Sequence, residues 1–214
     1  MTGGEAMRVY QIIADAQDRQ IFANMGQAFE FSDELMAQTV RYFVPPITKM
    51  IEKRAQTPEG LMSVLEFLGS RRYDRYLNEP RIFGHAQVEE EGRRILDYLF
   101  VRQERIQKIV ENRAQVLPID PVTLGKLFPY IAVMTIAAIE IKTRRPLGLM
   151  LYRINKGETD DAAMANPFFA LVQYLKKQEQ QQKDGRKRRL FSLFGSSSEQ
   201  PVQKTEPSRF FQSA

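Results

Sequence analysis

The sequence predicts an all-α protein, a single globular multi-helix bundle with a buried central helix and a disordered C-terminal tail. Three observations lead there. Apolar residues recur at helical spacing nearly throughout, and no segment shows four or more residues of strict alternation flanked by turn signals. Residues Leu127–Ile139 form an uncharged run of 13 whose side chains cover the full circumference of a helix, which demands that other helices surround it. As helix the run is about 20 Å long, whereas a bilayer crossing takes roughly 20 residues, so the expectation is a soluble core and not a membrane span.

A first helix is expected from Gly4 to Gln20 with Val9, Ile12, Ile13 and Ala16 on one stripe, and a second from Ile21 to Phe29. Ser32 reads as an N-cap, with Asp33 and Glu34 beside the positive helix end, and Pro45-Pro46 are expected to break or kink the helix that Ser32 starts. The chain restarts with Ile47, Met50 and Ile51 on one face. Thr57 before Pro58 is a cap with proline at the first helical position, turning Leu61, Val64, Leu65 and Leu68 inward. After the short "YDRYLNEP", residues Val88 to Ala114 read as one long helix or two joined near Val101-Arg102. Asp120-Pro121 is another cap-plus-proline start, and it feeds the uncharged run. Pro129 is placed in the first turn of the helix that carries the run, Thr135 is expected to return its hydroxyl to the preceding turn, and "KTRRP" supplies cations at the negative end with Pro146 beyond.

Composition excludes several chemistries. With no cysteine there are no disulfides, thiolate nucleophiles or cysteine-bound zinc, and the one histidine leaves little for imidazole ligation. The N-terminus lacks a basic head followed by an apolar stretch, so a cytoplasmic address is expected. The formal charge of +5 comes from 31 basic and 26 acidic residues, yet residues 176–214 hold nine Lys/Arg against four Asp/Glu. The preceding 175 residues therefore carry 22 of each sign. A neutral body gives no support to nucleic-acid binding, which concentrates positive charge on one face.

Two stretches share a layout: "FSDELMAQTVRYFVPPITKMI" from Phe31 and "IDPVTLGKLFPYIAVMTI" from Ile119 each run apolar residue, cap, amphipathic turn, bulky pair, proline, isoleucine. A remote duplication of a helix-proline-helix unit is one reading, and the general likeness of proline-containing buried helices is the other. These stretches also carry a resemblance. Together with "RVYQIIADAQDRQIFANMGQAFEFSDEL", "EGLMSVLEFLGSRRYDRYLNEP", "GRRILDYLF" and "KLFPYIAVM", they resemble the YidB-like family of bacterial proteins in its alphaproteobacterial form, over roughly residues 7–155. The resemblance implies a small all-helical domain and supplies no reaction. One departure is that the family's Gly-Ser after the "ILxxLF" unit is replaced by Val101-Arg102, which permits a helix to continue.

Each polar cluster has a bland role that competes with a chemical one. His85 is read as a loop histidine, because no serine, cysteine or second ligand stands at a useful spacing. Glu89, Glu90 and Glu91 point about 100° apart on a helix, so they are expected to form a solvated acidic face instead of a metal site. In Arg71, Arg72, Tyr73, Arg75 and Tyr76, arginine beside tyrosine can grip phosphate, but the favoured reading packs the tyrosines under a loop and pairs the arginines with acids. Met25, Met36, Met50, Met62 and Met134 are read as core filler. The scattered glycines form no phosphate cradle. No catalytic, cofactor or metal residue is assigned.

The chain is divided into a helical YidB-like domain (1–155), a linker (156–166), a C-terminal docking helix (167–178) and a basic tail (179–214) with a short amphipathic element at 186–195. In that element Arg186, Lys187, Arg188 and Arg189 precede Leu190, Phe191, Leu193 and Phe194, four apolar groups on one side of a short helix. The element reads first as a plain flexible tail, then as a partner motif, a membrane-surface anchor or a nucleic-acid contact. The expectation for the whole chain is a non-enzymatic interaction module whose tail docks on a partner protein or an anionic membrane surface, with homo-oligomerisation left open. Its address would be cytoplasmic, with peripheral contact at the inner membrane. The alternative is a small-ligand carrier or enzyme with an inter-helix pocket.

Overall fold

The computed structural model describes residues 3–154, 167–168, 170–177 and 180, and every regular element among them is helical. The chain divides into two units, Met1–Gln173 and Tyr174–Ala214. In the first unit the described elements are α1 (Gly3–Ala14), a 3-10 turn (Gln17–Arg19), α2 (Ile21–Phe29), α3 (Asp33–Arg54), α4 (Pro58–Gly69), α5 (Arg75–Asn78), α6 (Ala86–Phe100), α7 (Gln103–Ala114) and α8 (Pro121–Ile154). Phe168 and Val172 are buried as well. In the second unit the described residues 174–177 and 180 are helical. The proposed linker at 156–166 and the basic element at 186–195 lie outside the described residues.

The three caps form as their residue types dictate. Ser32 Oγ accepts the Leu35 N–H at 3.3 Å, Thr57 Oγ1 accepts the Gly60 N–H at 3.1 Å, and one oxygen of Asp120 accepts the Val122 and Thr123 N–H groups at 2.9 and 3.0 Å. Each satisfies donors that a helix start leaves orphaned. Hydrogen bonds from Thr123 hold the Asp120 carboxyl below the usual range.

α8 is the axle of the body. It packs against α1, α3, α5, α6 and α7, most extensively against α6. From Leu127 to Ala138 every residue is buried, and Thr135 donates its hydroxyl to the Ile131 carbonyl at 2.7 Å as expected. The stretch from Pro121 to Leu149 is long and apolar enough to cross a membrane by length and composition, but 72% of its most apolar window is covered within the protein. The expectation that the run is too short to span holds for its 13 residues and not for the helix that contains them.

α6 reaches α8 through a glycine. A Cβ at Gly92 would overlap the backbone of Pro129, so only glycine lets the two helix axes come this close. Phe128 packs one residue away, 4.6 Å from the Phe43 ring and 6.1 Å from Phe100.

Several expected breaks are absent. α3 continues through Pro45-Pro46, and α8 continues through Pro129 and Pro146. Hence the two echoing stretches are each one proline-containing helix and not a helix-proline-helix unit. In α3 the carbonyls that lose their donors belong to exposed Arg41 and half-buried Tyr42, where water can replace the bond. Thr48 adds a hydroxyl bond to the Pro45 carbonyl at 3.0 Å.

One unexpected break appears, and of the two readings given for residues 88–114 the structure has the one with two helices joined near Val101-Arg102. The first helix stops at Ala14, and Gln17, Asp18 and Arg19 take positive φ. Gln17 is tied down there by donating to the Glu79 carbonyl at 2.9 Å and accepting from Asn24 at 2.8 Å. Between α6 and α7, Val101 sits at φ 65° with its side chain exposed. A β-branched residue in that region is strained, so packing of both helices on α8 settles a junction that Val-Arg alone leaves open.

Candidate functional site

The segment from Ser70 to His85 crosses the surface between α4 and α6, and two buried carboxylates from different helices hold it. Glu140, fully buried on α8, accepts the backbone N–H groups of Tyr73 and Asp74 through one oxygen at 2.6 and 2.9 Å, and pairs with Arg144 through the other. Glu91, buried on α6, accepts the Tyr73 hydroxyl at 2.9 Å and pairs with Arg71 at 3.0 Å and Arg94 at 2.6 Å. Tyr73 is therefore gripped at both its backbone and its ring end. Phe67 stacks near it at 5.8 Å and on Tyr98 at 4.4 Å, with the Arg94 guanidinium 5.1 Å from the Phe67 ring.

The electrostatics derive from this geometry. Burial opposes ionisation of Glu91, but hydrogen bonds from Arg94 and Tyr73 outweigh it and hold the carboxyl below the usual range. Burial, with the charge of Glu91 beside it, pushes the Tyr73 hydroxyl well up. The bond from Arg72, at 2.7 Å, lowers Asp74. Burial lowers Arg144. The shifts of Glu91 and Asp74 describe carboxylates kept charged by the donors that face them.

Beside it lies an open cleft of about 900 Å³, lined by Arg72, Asp74, Arg75, Tyr76, Arg81 and His85 among others. A neighbouring groove of about 490 Å³ shares Arg75, Tyr76 and Gln87 and runs along α6 past Arg93 and Arg94. Arg93 pairs with Glu89 one turn away, and Arg72 with Asp74. Arg75 lies over the Tyr76 ring at 4.8 Å and donates to its hydroxyl at 2.9 Å. Among the described residues no carboxylate pairs with the guanidinium of Arg75 or Arg81.

Much of this matches the bland reading of the sequence. Tyr73 and Tyr76 are buried, Arg71 and Arg72 pair with acids, and His85 is exposed in the loop before α6. Met25, Met36 and Met134 are fully buried, while Met50 and Met62 are half-buried. One expectation needs correction: Glu91 is not part of a solvated acidic face. It lies on the stripe of Val88, Gly92, Ile95 and Leu99 that α6 turns inward, so helix rotation separates it from exposed Glu90. Sequence reasoning misses Glu140 altogether. The signal available is an acid one turn beyond the buried Ile136 and Ala137, followed four residues later by an arginine. Among the described residues, no group of three or more His, Asp or Glu could hold a metal ion. The docking residues Arg186, Lys187, Arg188, Arg189, Leu190, Phe191, Leu193 and Phe194 lie outside the described residues.

Fold and site together define an all-helical bundle whose surface segment is clamped by buried acids. Residues 11–140 match the family described as bacterial protein of unknown function (DUF937), and the chain belongs to that family, which the YidB-like resemblance fits. No curated protein and no solved structure matches the chain.

Proposed function

We propose that this chain is a non-enzymatic helical interaction module, cytoplasmic, whose C-terminal cationic element tethers it to a partner protein. The observation that carries the reading is the placement of charge: the whole excess of +5 falls in residues 176–214, and the body is neutral. Four apolar side chains at 190, 191, 193 and 194 beside four cations form a short anchor of the kind a partner's groove accepts. Within the body, the buried carboxylates are committed to internal donors, which suits a scaffold.

A second reading, favoured by the four adjoining cations, is peripheral attachment at the inner membrane. Each cation near an anionic leaflet contributes about 1 kcal/mol, so the attachment would be reversible and salt-sensitive. Deleting residues 179–214 tests both. Loss of co-purifying partners with unchanged vesicle binding supports the partner reading, and loss of sedimentation with anionic vesicles supports the membrane one. If neither partners nor vesicle binding change, the tether is refuted.

A further inference from the structure

We infer that the cleft between α5 and the start of α6 binds a small diphosphate-bearing anion through the guanidinium groups of Arg75 and Arg81. The inference goes beyond the tether, because it concerns the body and not the tail. Three observations carry it.

The first is the commitment of charge around the cleft. Of the arginines lining it and its neighbouring groove, Arg71 and Arg94 are matched by Glu91, Arg72 by Asp74 and Arg93 by Glu89. Arg75 and Arg81 are the two that, among the described residues, have no acid partner, and both line the cleft. Glu79 opposes them: one of its carboxylate oxygens accepts the Arg81 backbone N–H at 3.4 Å. Two guanidiniums less one carboxylate leave one excess positive charge, with fork-shaped donors pointing to a ligand richer in acceptors than a single carboxylate.

The second is rigidity. Ion pairs as buried as those of Glu91 and Glu140 are a weak source of stability. What they do accomplish is to fix residues 71–74, the strip that leads directly into Arg75. Arg75 is held in turn over Tyr76, so binding would freeze little that is not already fixed. The third is capacity. About 900 Å³, with the amide donors of Asn78 and Gln87 and the imidazole of His85 on its walls, fits a ligand of nucleotide size. A diphosphate supplies the charge and the acceptor oxygens that two guanidinium forks and these donors can use.

The test is calorimetric titration of the full chain at low ionic strength with inorganic pyrophosphate and with a nucleoside diphosphate. Saturable binding is expected, weakened about tenfold or more by Arg75→Gln with Arg81→Gln, since each charge-assisted bond is worth more than a neutral one. Both side chains are exposed, so the variant should keep its thermal midpoint. The control is Arg188→Gln with Arg189→Gln, which removes the same charge from the tail and should leave the affinity within about twofold if the tail is not the binding site. Binding of pyrophosphate alone would support an inorganic ligand, and binding of both probes an organic one. No saturable binding, equal loss in the two double variants, or citrate binding as tightly as pyrophosphate would overturn the inference.

Discussion

The first half of α8 and the segment from Ser70 to Asn78 are both held firmly, by opposite means. Leu127 to Ala138 is secured by apolar area and by a glycine that lets α6 come close. The Ser70 segment has little regular structure, only the four residues of α5, and hangs on Glu91 and Glu140. Apolar burial is non-directional and tolerates small shifts. Carboxylate clamps are directional, and removing one partner strands the other in a dry interior. The comparison teaches that the core of α8 gives the body its stability while the clamps give one surface strip its shape.

The largest expected effect breaks the clamp. Glu140→Ala should lower stability by about 3–5 kcal/mol, because it leaves Arg144 and two backbone N–H groups without their carboxylate. Hydrogen exchange should show protection lost first at Tyr73 and Asp74; loss spread evenly over α8 would contradict the contrast between regions. Next comes the close approach on the apolar side. Gly92→Ala should cost about 3 kcal/mol, since its Cβ must displace backbone and not a flexible side chain, and urea melts would read it.

The smallest effect sharpens the contrast by pH. Glu91 and Asp74 have folded pKa values below their unfolded ones, so their contribution is present above about pH 4 and is lost as pH falls through the depressed values. Urea midpoints should therefore drop below about pH 4, and Glu91→Gln should flatten that drop. The apolar half of α8 carries no group that titrates there. An equally steep drop in Glu91→Gln would place the acid sensitivity elsewhere.

Legibility in the sequence varies from residue to residue. Ser32, Thr57 and Asp120 are readable as caps because the side chain meets the backbone within three residues, a purely local event. The burial of Leu127 to Ala138 is readable because no helix face is left for water. Continuity through Pro45-Pro46 and Pro146 is not, since the local cost of a proline inside a helix argues for a break. The turn at Val101 is half legible: the sequence leaves one helix or two joined near Val101-Arg102, and the chain takes the second course at positive φ. At the candidate site, the cluster from Arg71 to Tyr76 stands out by composition, while its clamps do not. Glu91 is hidden among three consecutive glutamates and Glu140 at the end of an apolar run.

By itself the sequence determined the helical class, the starts of α3, α4 and α8, the central place of the apolar run and the gathering of surplus charge at the end of the chain. All of these depend on neighbours within a turn or two, or on composition. Tertiary structure alone decided which prolines a helix absorbs, that the chain breaks at Gln17–Arg19, and that acids 49 positions apart in the chain, Glu91 and Glu140, grip the same tyrosine. The physical reason is that those outcomes weigh a local cost against contacts made by residues far away in sequence, and only the packed chain sets that balance.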